Sequence, residues 1–336
     1  MNCPGMKKVF QMYTMPTNHL ETVLSHSPSF MSKIKVFLLL LLTIFLLFSC
    51  RDSEDPVKVS LDKRQEITFK QQSPAITYAY LPQYSNTESF QRHHRLVEYL
   101  SEQTGLPIQQ VFPETFDNHI NMFGQGKIDI SFSNPFIYVK LAKRYGARAM
   151  ARIVEVDGRA EFRGQIIARK DNSDIQSIED CRGKSWVAVD PSSAGGYLFP
   201  RGLFIDHGLT SNDFKEIIFA GGRQENVILG VYAGLHDIGS IREGSLNVVK
   251  DKIDINQIKV IANSIWYPGW VYAYSSRLSQ DKTDRIRDAM LKLDYKNNPQ
   301  HRLILDAAKF IGFVPSNDRD FDKVRELSKK LGLDLD

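Results

Sequence analysis

The sequence predicts an α/β protein built on parallel sheets. Three observations carry this. Apolar strand-like runs alternate with segments of helical period from residue 66 to the end. The composition, 42% apolar and 24% charged over 336 residues, is that of a folded chain long enough for one large or two modest domains. No repeat or low-complexity tract interrupts the alternation. The same figures exclude a disordered, collagenous or disulfide-dense protein.

Ile67–Phe69 and Ala75–Tyr80 read as strand. Phe90, Leu96, Val97, Tyr99 and Leu100 recur at helical spacing, and the pattern stops at Gly105-Leu-Pro107. Ile108–Phe112 is strand, 116–125 helix and Ile128–Phe132 a buried strand; Asn134-Pro135 breaks the chain before a helix over Tyr138–Tyr145. Arg163–Arg169 is strand, Ile178–Cys181 a helical turn, Ser185–Val189 strand, and Gly196–His207 a helix closed by Gly208. The second half continues with strand at Glu216–Phe219, helix at Glu225–Ala233, and strands at Asp237–Ser240, Ile258–Ile261 and Gly269–Ser275. Helices near 281–293, 300–309 and 319–331 close the chain.

The N-terminus carries an export pattern. Lys33 and Lys35 precede 13 nearly unbroken apolar residues, 36–48. A bilayer span needs roughly 20, so this is the apolar region of a signal peptide over 31–49. It ends at Leu47-Phe48-Ser49-Cys50, which resembles the lipobox of bacterial lipoproteins and implies lipidation of Cys50 and a bilayer anchor. A plain secretory signal with an incidental Cys is the alternative. Residues 1–30 have no apolar period and read as an extension before a start at Met31; residues 50–65 read as lipidated Cys and polar tether.

Charge and cysteine content narrow the function. The net charge is +4, but residues 1–49 hold four Lys and one Glu, leaving 39 basic and 38 acidic residues beyond them. That near balance predicts no nucleic-acid partner. Cys181 is alone in the exported part, so no disulfide framework is expected, and it reads as a small buried residue.

The most informative segment is Val187–Pro200. An apolar strand ends at Asp190-Pro191; Ser192, Ser193, Ala194, Gly195 and Gly196 follow, and then an apolar helix. Small and hydroxylated residues at a helix start leave amides bare, and with the helix dipole these form an anion site. The glycine pair permits close approach by a ligand. An ordinary N-cap and tight turn explains the same residues.

Asp190-Pro-Ser-Ser-Ala-Gly-Gly-Tyr-Leu-Phe-Pro200 resembles the Asp-Pro-x-Ser-Thr-Ser-Gly-Tyr-Leu-x-Pro segment of the phosphonate/phosphite receptors of ABC transporters. Gly126–Pro135, Gly222–Gly234 with Asp237, and Tyr267-Pro268-Gly269 are similar to three further segments of that family, in order. The resemblance covers roughly residues 66–315. It implies a two-lobed type II periplasmic-binding fold (a Venus flytrap), with lobe 1 from 66–165 and 270–336 and lobe 2 from 166–269. Two crossing strands are expected near 163–169 and 269–275. It further implies a periplasmic receptor that passes a small-molecule ligand to ABC permease subunits, with no cofactor, metal or catalysis; with the lipid anchor at Cys50, a membrane-anchored monomer is expected.

The pocket positions carried over from the resemblance are Phe116 where the family has Tyr, and Ser133 before Asn134-Pro135, where the family has Gly-Pro; Asn134 is counted with the site. In the cradle Ser193 keeps a Ser, while Ala194 and Gly195 replace hydroxyls. Gln224 replaces a His, with Arg223 beside it, and Trp270 replaces the acid that pairs with a ligand ammonium. Loss of that acid argues against an amino-bearing ligand, since a buried carboxylate needs a cation. The expected ligand is an anion or polar group at Ser193–Gly196 with an apolar, aromatic or uncharged remainder. Arg223 is either a source of compensating charge or a solvated side chain. Trp266, Tyr267 and Trp270 form either core or cleft wall, and Tyr80 and Tyr84, after the first strand, either line the cleft or sit on the surface.

Two further readings fit the same residues. A receptor of the same fold could feed a membrane sensor kinase, and no residue separates it from a transporter subunit. An exported hydrolase with Ser193 as nucleophile lacks a base near that turn. Gly183-Lys-Ser185 fails the phosphate-loop spacing, and His93 and His94, adjacent on a helix, point apart.

Overall fold

A computed structural model describes residues 74–333 and 335. The signal, tether and Cys50 assignments, the strand over 67–69 and the first residues of lobe 1 lie outside them. Lobe 1 opens with β1 (Ile76–Tyr80), α1 (Asn86–Thr104), β2 (Ile108–Val111), α2 (Phe116–Gly124), β3 (Ile130–Ser133), α3 (Pro135–Tyr145) and β4 (Arg148–Val154). The chain then crosses through β5 (Glu161–Phe162) into β6 (Gly164–Arg169) and β7 (Ser185–Ala188). After the cradle come α4 (Phe199–Asp206), β8 (Glu216–Phe219), α5 (Gln224–Tyr232), β9 (Ile238–Arg242) and β10 (Ile258–Asn263). It returns through β11 (Tyr267–Pro268) to β12 (Val271–Tyr274), α6 (Gln280–Leu291), α7 (Pro299–Ala308), β13 (Gly312–Pro315) and α8 (Asp322–Lys330).

Three sheets result. The first has six strands in the order β13-β4-β12-β3-β1-β2, the second five in the order β10-β6-β9-β7-β8, and β5 pairs with β11 between them. β1, β2 and β3 are parallel, as are β7, β8 and β9, so each set ends on one edge of its sheet. Such edges are where open α/β sheets bind ligands. The crossing is the antiparallel pair Phe162↔Tyr267 and Glu161↔Pro268. It precedes the strands expected to cross: 164–169 belongs to the second sheet and 271–274 to the first. Gly164 and Gln165, assigned by sequence to lobe 1, therefore pair within the lobe 2 sheet.

Local chemistry sets the boundaries. Ser85 caps α1 by accepting from the Glu88 amide, and Gly105 closes it at φ 65°. Its buried face is Ser89, His93, Leu96, Val97 and Leu100, whereas Phe90 is 49% exposed and stacks on His94. His93 therefore replaces Phe90 on the core face, held by Tyr78 Oη at 2.8 Å from its Nδ1. Asn134-Pro135 does not break the chain but starts α3: Pro135 occupies the first turn, where its missing N–H loses nothing. β4 and β13 were not expected from the sequence. β4 runs antiparallel to β12 and β13, completing the lobe 1 sheet. Among the described residues no helix is long and apolar enough to cross a membrane.

The lobe 1 core passes through the hinge. Phe162 and Tyr267 join it to Ala194, Leu198 and Phe199, with Phe199 stacked on Tyr267 at 3.9 Å. Lobe 2 has its own two apolar clusters on either side of its sheet, one around Trp186 and Phe204 and one around Val227 and Ile241. Cys181 is buried in the first, and burial pushes its thiol up to about 12.

Candidate functional site

Lobe 1 presents an aromatic wall at the ends of β1 and β3. Trp270, 2% exposed, meets Tyr80 edge-on at 5.8 Å and Phe132 at 5.1 Å. Tyr80 also packs on Tyr84 and His93. Burial pushes the Tyr80 phenol well above its ordinary range, so it stays protonated. Arg92 lies 4.3 Å over the Tyr84 ring, with Nη1 3.4 Å from Tyr80 Oη. Two groups in this wall are buried and have no hydrogen-bond partner: Ser133 Oγ and Trp270 Nε1. Buried polar groups are normally paired, and exceptions call for a ligand or water.

Lobe 2 presents the cradle. After β7 the chain turns at Asp190, whose carboxylate accepts from the Ser192 amide at 2.7 Å. Ser193 caps the π-helical turn Ala194–Leu198 through one bond, from the Gly196 amide to its Oγ at 3.1 Å. The amides of Ala194 and Gly195 have no acceptor among the described residues. The turn is braced from behind: Trp186 Nε1 donates to Ser240 Oγ at 2.8 Å, and Ser240 donates to the Gly196 carbonyl at 2.6 Å.

The glycine pair serves packing and not only ligand approach. A Cβ on Gly195 would fall 2.8 Å from the Phe162 ring and 3.2 Å from the Arg242 backbone; one on Gly196 would fall 2.3 Å from Val189. Ala194 is fully buried in the lobe 1 core. Ser192 joins the lobes: its hydroxyl accepts from Lys140 Nζ at 2.7 Å and its carbonyl from Asn134 Nδ2 at 3.3 Å. Burial lowers the Lys140 amine and raises the Asp190 carboxyl.

The remaining predicted residues divide. Phe116 is buried against Gly222 of lobe 2, 3.4 Å from the place of a Cβ there. Gln224 is buried and spends its side-chain oxygen on the Arg242 amide at 2.9 Å. Arg223 is exposed on the rim of an interlobe cavity of about 330 Å³ that Tyr84 and Gln224 also line. A cavity of about 470 Å³ shares Tyr84, Glu88 and Val248 with it and reaches Arg92, Glu155 and Arg242. Two larger grooves, about 700 and 610 Å³, lie away from the sheet edges and against α3 and α1. Of the three aromatics in doubt, Tyr267 is hinge core and Trp270 is wall, while Trp266 sits between Arg159 and Arg163 at 4.4 and 4.6 Å.

Sequence reading missed Arg242, Lys140, Arg92 and Glu155. Arg242 ends β9 on the same edge as the cradle, pairs with Glu155 across the lobes and covers the Phe162 ring at 5.4 Å. Taking β9 as Asp237–Ser240 stopped two residues short of it. The available signal was the rule that open α/β sheets bind ligands at the carboxyl ends of their strands.

Chemically, this arrangement offers N–H and O–H donors to an acceptor-rich guest. Among the described residues no histidine is hydrogen-bonded to Ser193, whose oxygen is occupied by the Gly196 amide. Ser193 therefore has no paired histidine base there.

The family described as ABC transporter, phosphonate, periplasmic substrate-binding protein matches residues 78–321. The Phosphate-import protein PhnD of Mycolicibacterium smegmatis is 26% identical over 293 residues, covering 81% of this chain and 90% of that protein. Among solved structures, a binding protein component of an ABC phosphonate transporter from Pseudomonas aeruginosa superposes with a TM-score of 0.68 at 21% identity, covering 77% of this chain and 87% of that chain. PhnD1 from Prochlorococcus marinus, in complex with methylphosphonate, gives 0.69 at 16% identity, covering 77% and 98%. These likenesses establish the type II periplasmic-binding fold. The family match runs through both sheets and both crossing strands, and the chain belongs to the phosphonate-type periplasmic substrate-binding proteins of ABC transporters.

Proposed function

We propose that this receptor holds the phosphorus-bearing anion of its ligand between Ser133 and Trp270 of lobe 1 and the Ala194 and Gly195 amides of lobe 2. The observation that carries this is the set of four buried donors without acceptors on facing sheet edges. A phosphonate or phosphate supplies the missing oxygens. Ser193 and Gly196 shape the cradle, Asn134 and Ser192 close it, and Tyr80 and Phe116 wall it. Contacts to both lobes favour the closed form, which an ABC permease reads. The lobes hinge at Glu161–Phe162 and Tyr267–Pro268, so lobe 2 runs between these two crossings.

Calorimetric titration with methylphosphonate, phosphite and phosphate tests the site. Ser133→Ala removes an unpartnered hydroxyl, so stability should change by less than about 0.5 kcal/mol while affinity falls about tenfold. Equal affinity in Ser133→Ala and the parent would remove the site. We further propose that Cys50 is lipidated and anchors a monomer to the periplasmic face of a membrane. Radiolabelled fatty acid should enter the parent and not Cys50→Ala, and light scattering of the detergent-solubilised protein should report one chain.

A further inference from the structure

The cavity beyond the cradle has a charge character that the expected apolar remainder does not explain. Its wall continues from Trp270 through Tyr80 to Arg92 on lobe 1, and from Gly195 to Arg242 on lobe 2. The Nε atoms of both arginines are buried and have no hydrogen-bond partner. Arg242 gives a terminal nitrogen to Glu155, and Arg92 makes a long contact to Tyr80, lies over the Tyr84 ring with its hydroxyl in reach, and has Glu88 nearby. Of the other carboxylates lining this space, Glu243 is held by Arg163 at 2.7 Å from outside the cavity wall, and Glu88 is exposed at its edge on the first turn of α1.

Lys309 adds to the cations. It ends α7 at φ 66°, the one non-glycine residue with positive φ among those described, and it lines the same cavity. Glycine or asparagine would fit that backbone better.

Resting on the cradle reading above, we propose that the ligand carries a second acidic group, a carboxylate or phosphate, bound between Arg92 and Arg242 with Lys309 at the mouth. Guanidinium N–H pairs suit such a planar or tetrahedral oxyanion. Glu155 serves as counter-ion while the site is empty, using one of the Arg242 donors and leaving the others for the guest. A cationic tail is disfavoured by the same wall.

The test is calorimetric titration of the full chain with methylphosphonate, 3-phosphonopropionate and 2-aminoethylphosphonate. The second acid should tighten binding at least tenfold over methylphosphonate, and the amine should weaken it. Arg92→Gln and Arg242→Gln should each cut the 3-phosphonopropionate-to-methylphosphonate affinity ratio at least fivefold. That ratio is internal to each variant, so a misfolded fraction does not alter it. A parent ratio near one, a preference for the amine, or ratios unchanged in both variants would overturn the second subsite while leaving the cradle. Failure of all three compounds to bind the parent would overturn the cradle, and the subsite with it.

Discussion

In lobe 1, β3 runs into Asn134, Pro135 and α3; in lobe 2, β7 runs into Asp190, Pro191 and the cradle turn. The two junctions touch through Asn134 and Ser192 and are made of similar residues. They differ in what the cap consumes. Asn134 Oδ1 accepts from both the Phe136 and Ile137 amides, at 2.9 and 3.0 Å. Ser193 Oγ accepts from Gly196 alone, and Ala194 and Gly195 keep their N–H groups. A helix start becomes a binding site when its cap falls short of its donors, not because a helix starts there.

The largest expected effect separates the lobes by acid. His93 and His119 are both buried in lobe 1, bonded to Tyr78 and Ser131, and burial lowers each to about 3. Lobe 2 histidines 207 and 236 are not buried. A lowered imidazole binds its proton only on unfolding, so full stability is present above the ordinary value near 6.5 and is lost as pH falls from there toward 3. Each should cost about 2 kcal/mol at pH 5, about 4 together. Denaturant melts of the Trp186→Phe, Trp266→Phe double variant, which leaves Trp270 to report on lobe 1, should show this loss; a flat profile between pH 7 and 5 would contradict it.

A smaller effect sharpens the other side. The lobe 2 junction relies on its brace, so Ser240→Ala should lose about 2 kcal/mol by stranding the Trp186 indole N–H. Denaturant midpoints read this directly. Smallest is the cap comparison itself. Asn134→Ala should cost about 1–2 kcal/mol and Ser193→Ala about 1 or less, because the first cap holds two amides and the second holds one. Equal losses in thermal melts would erase the distinction.

Much of the fold was legible because periodicity and caps are local. Gly105, Gly146 and Gly208 mark helix ends at φ 65°, 67° and 73°, as a sequence reader expects of glycine. Asn134-Pro135 misled because the same dipeptide ends one element and starts another, and only the capping bonds show which. β4 was missed because Arg148 and Arg152 sit among small residues, and β13 because it is four residues long and ends in Pro315. The cradle segment was visible as a string of small residues, yet its covering groups were not. Phe162 and Arg242 reach Gly195 only after the chain has crossed between lobes. The donors that define the site, Ser133 Oγ and Trp270 Nε1, are notable for lacking a partner, which no spacing rule reports.

Gly164 leaves the hinge with no room beside it: a Cβ there would lie 2.6 Å from the Gly195 carbonyl and 2.7 Å from Pro200. The floor of the binding chamber is thus welded to the pivot, and neither can be enlarged without jamming the other. Any change in cargo must therefore be made on the opposite wall, around Tyr84 and Arg92, which lie away from this pivot.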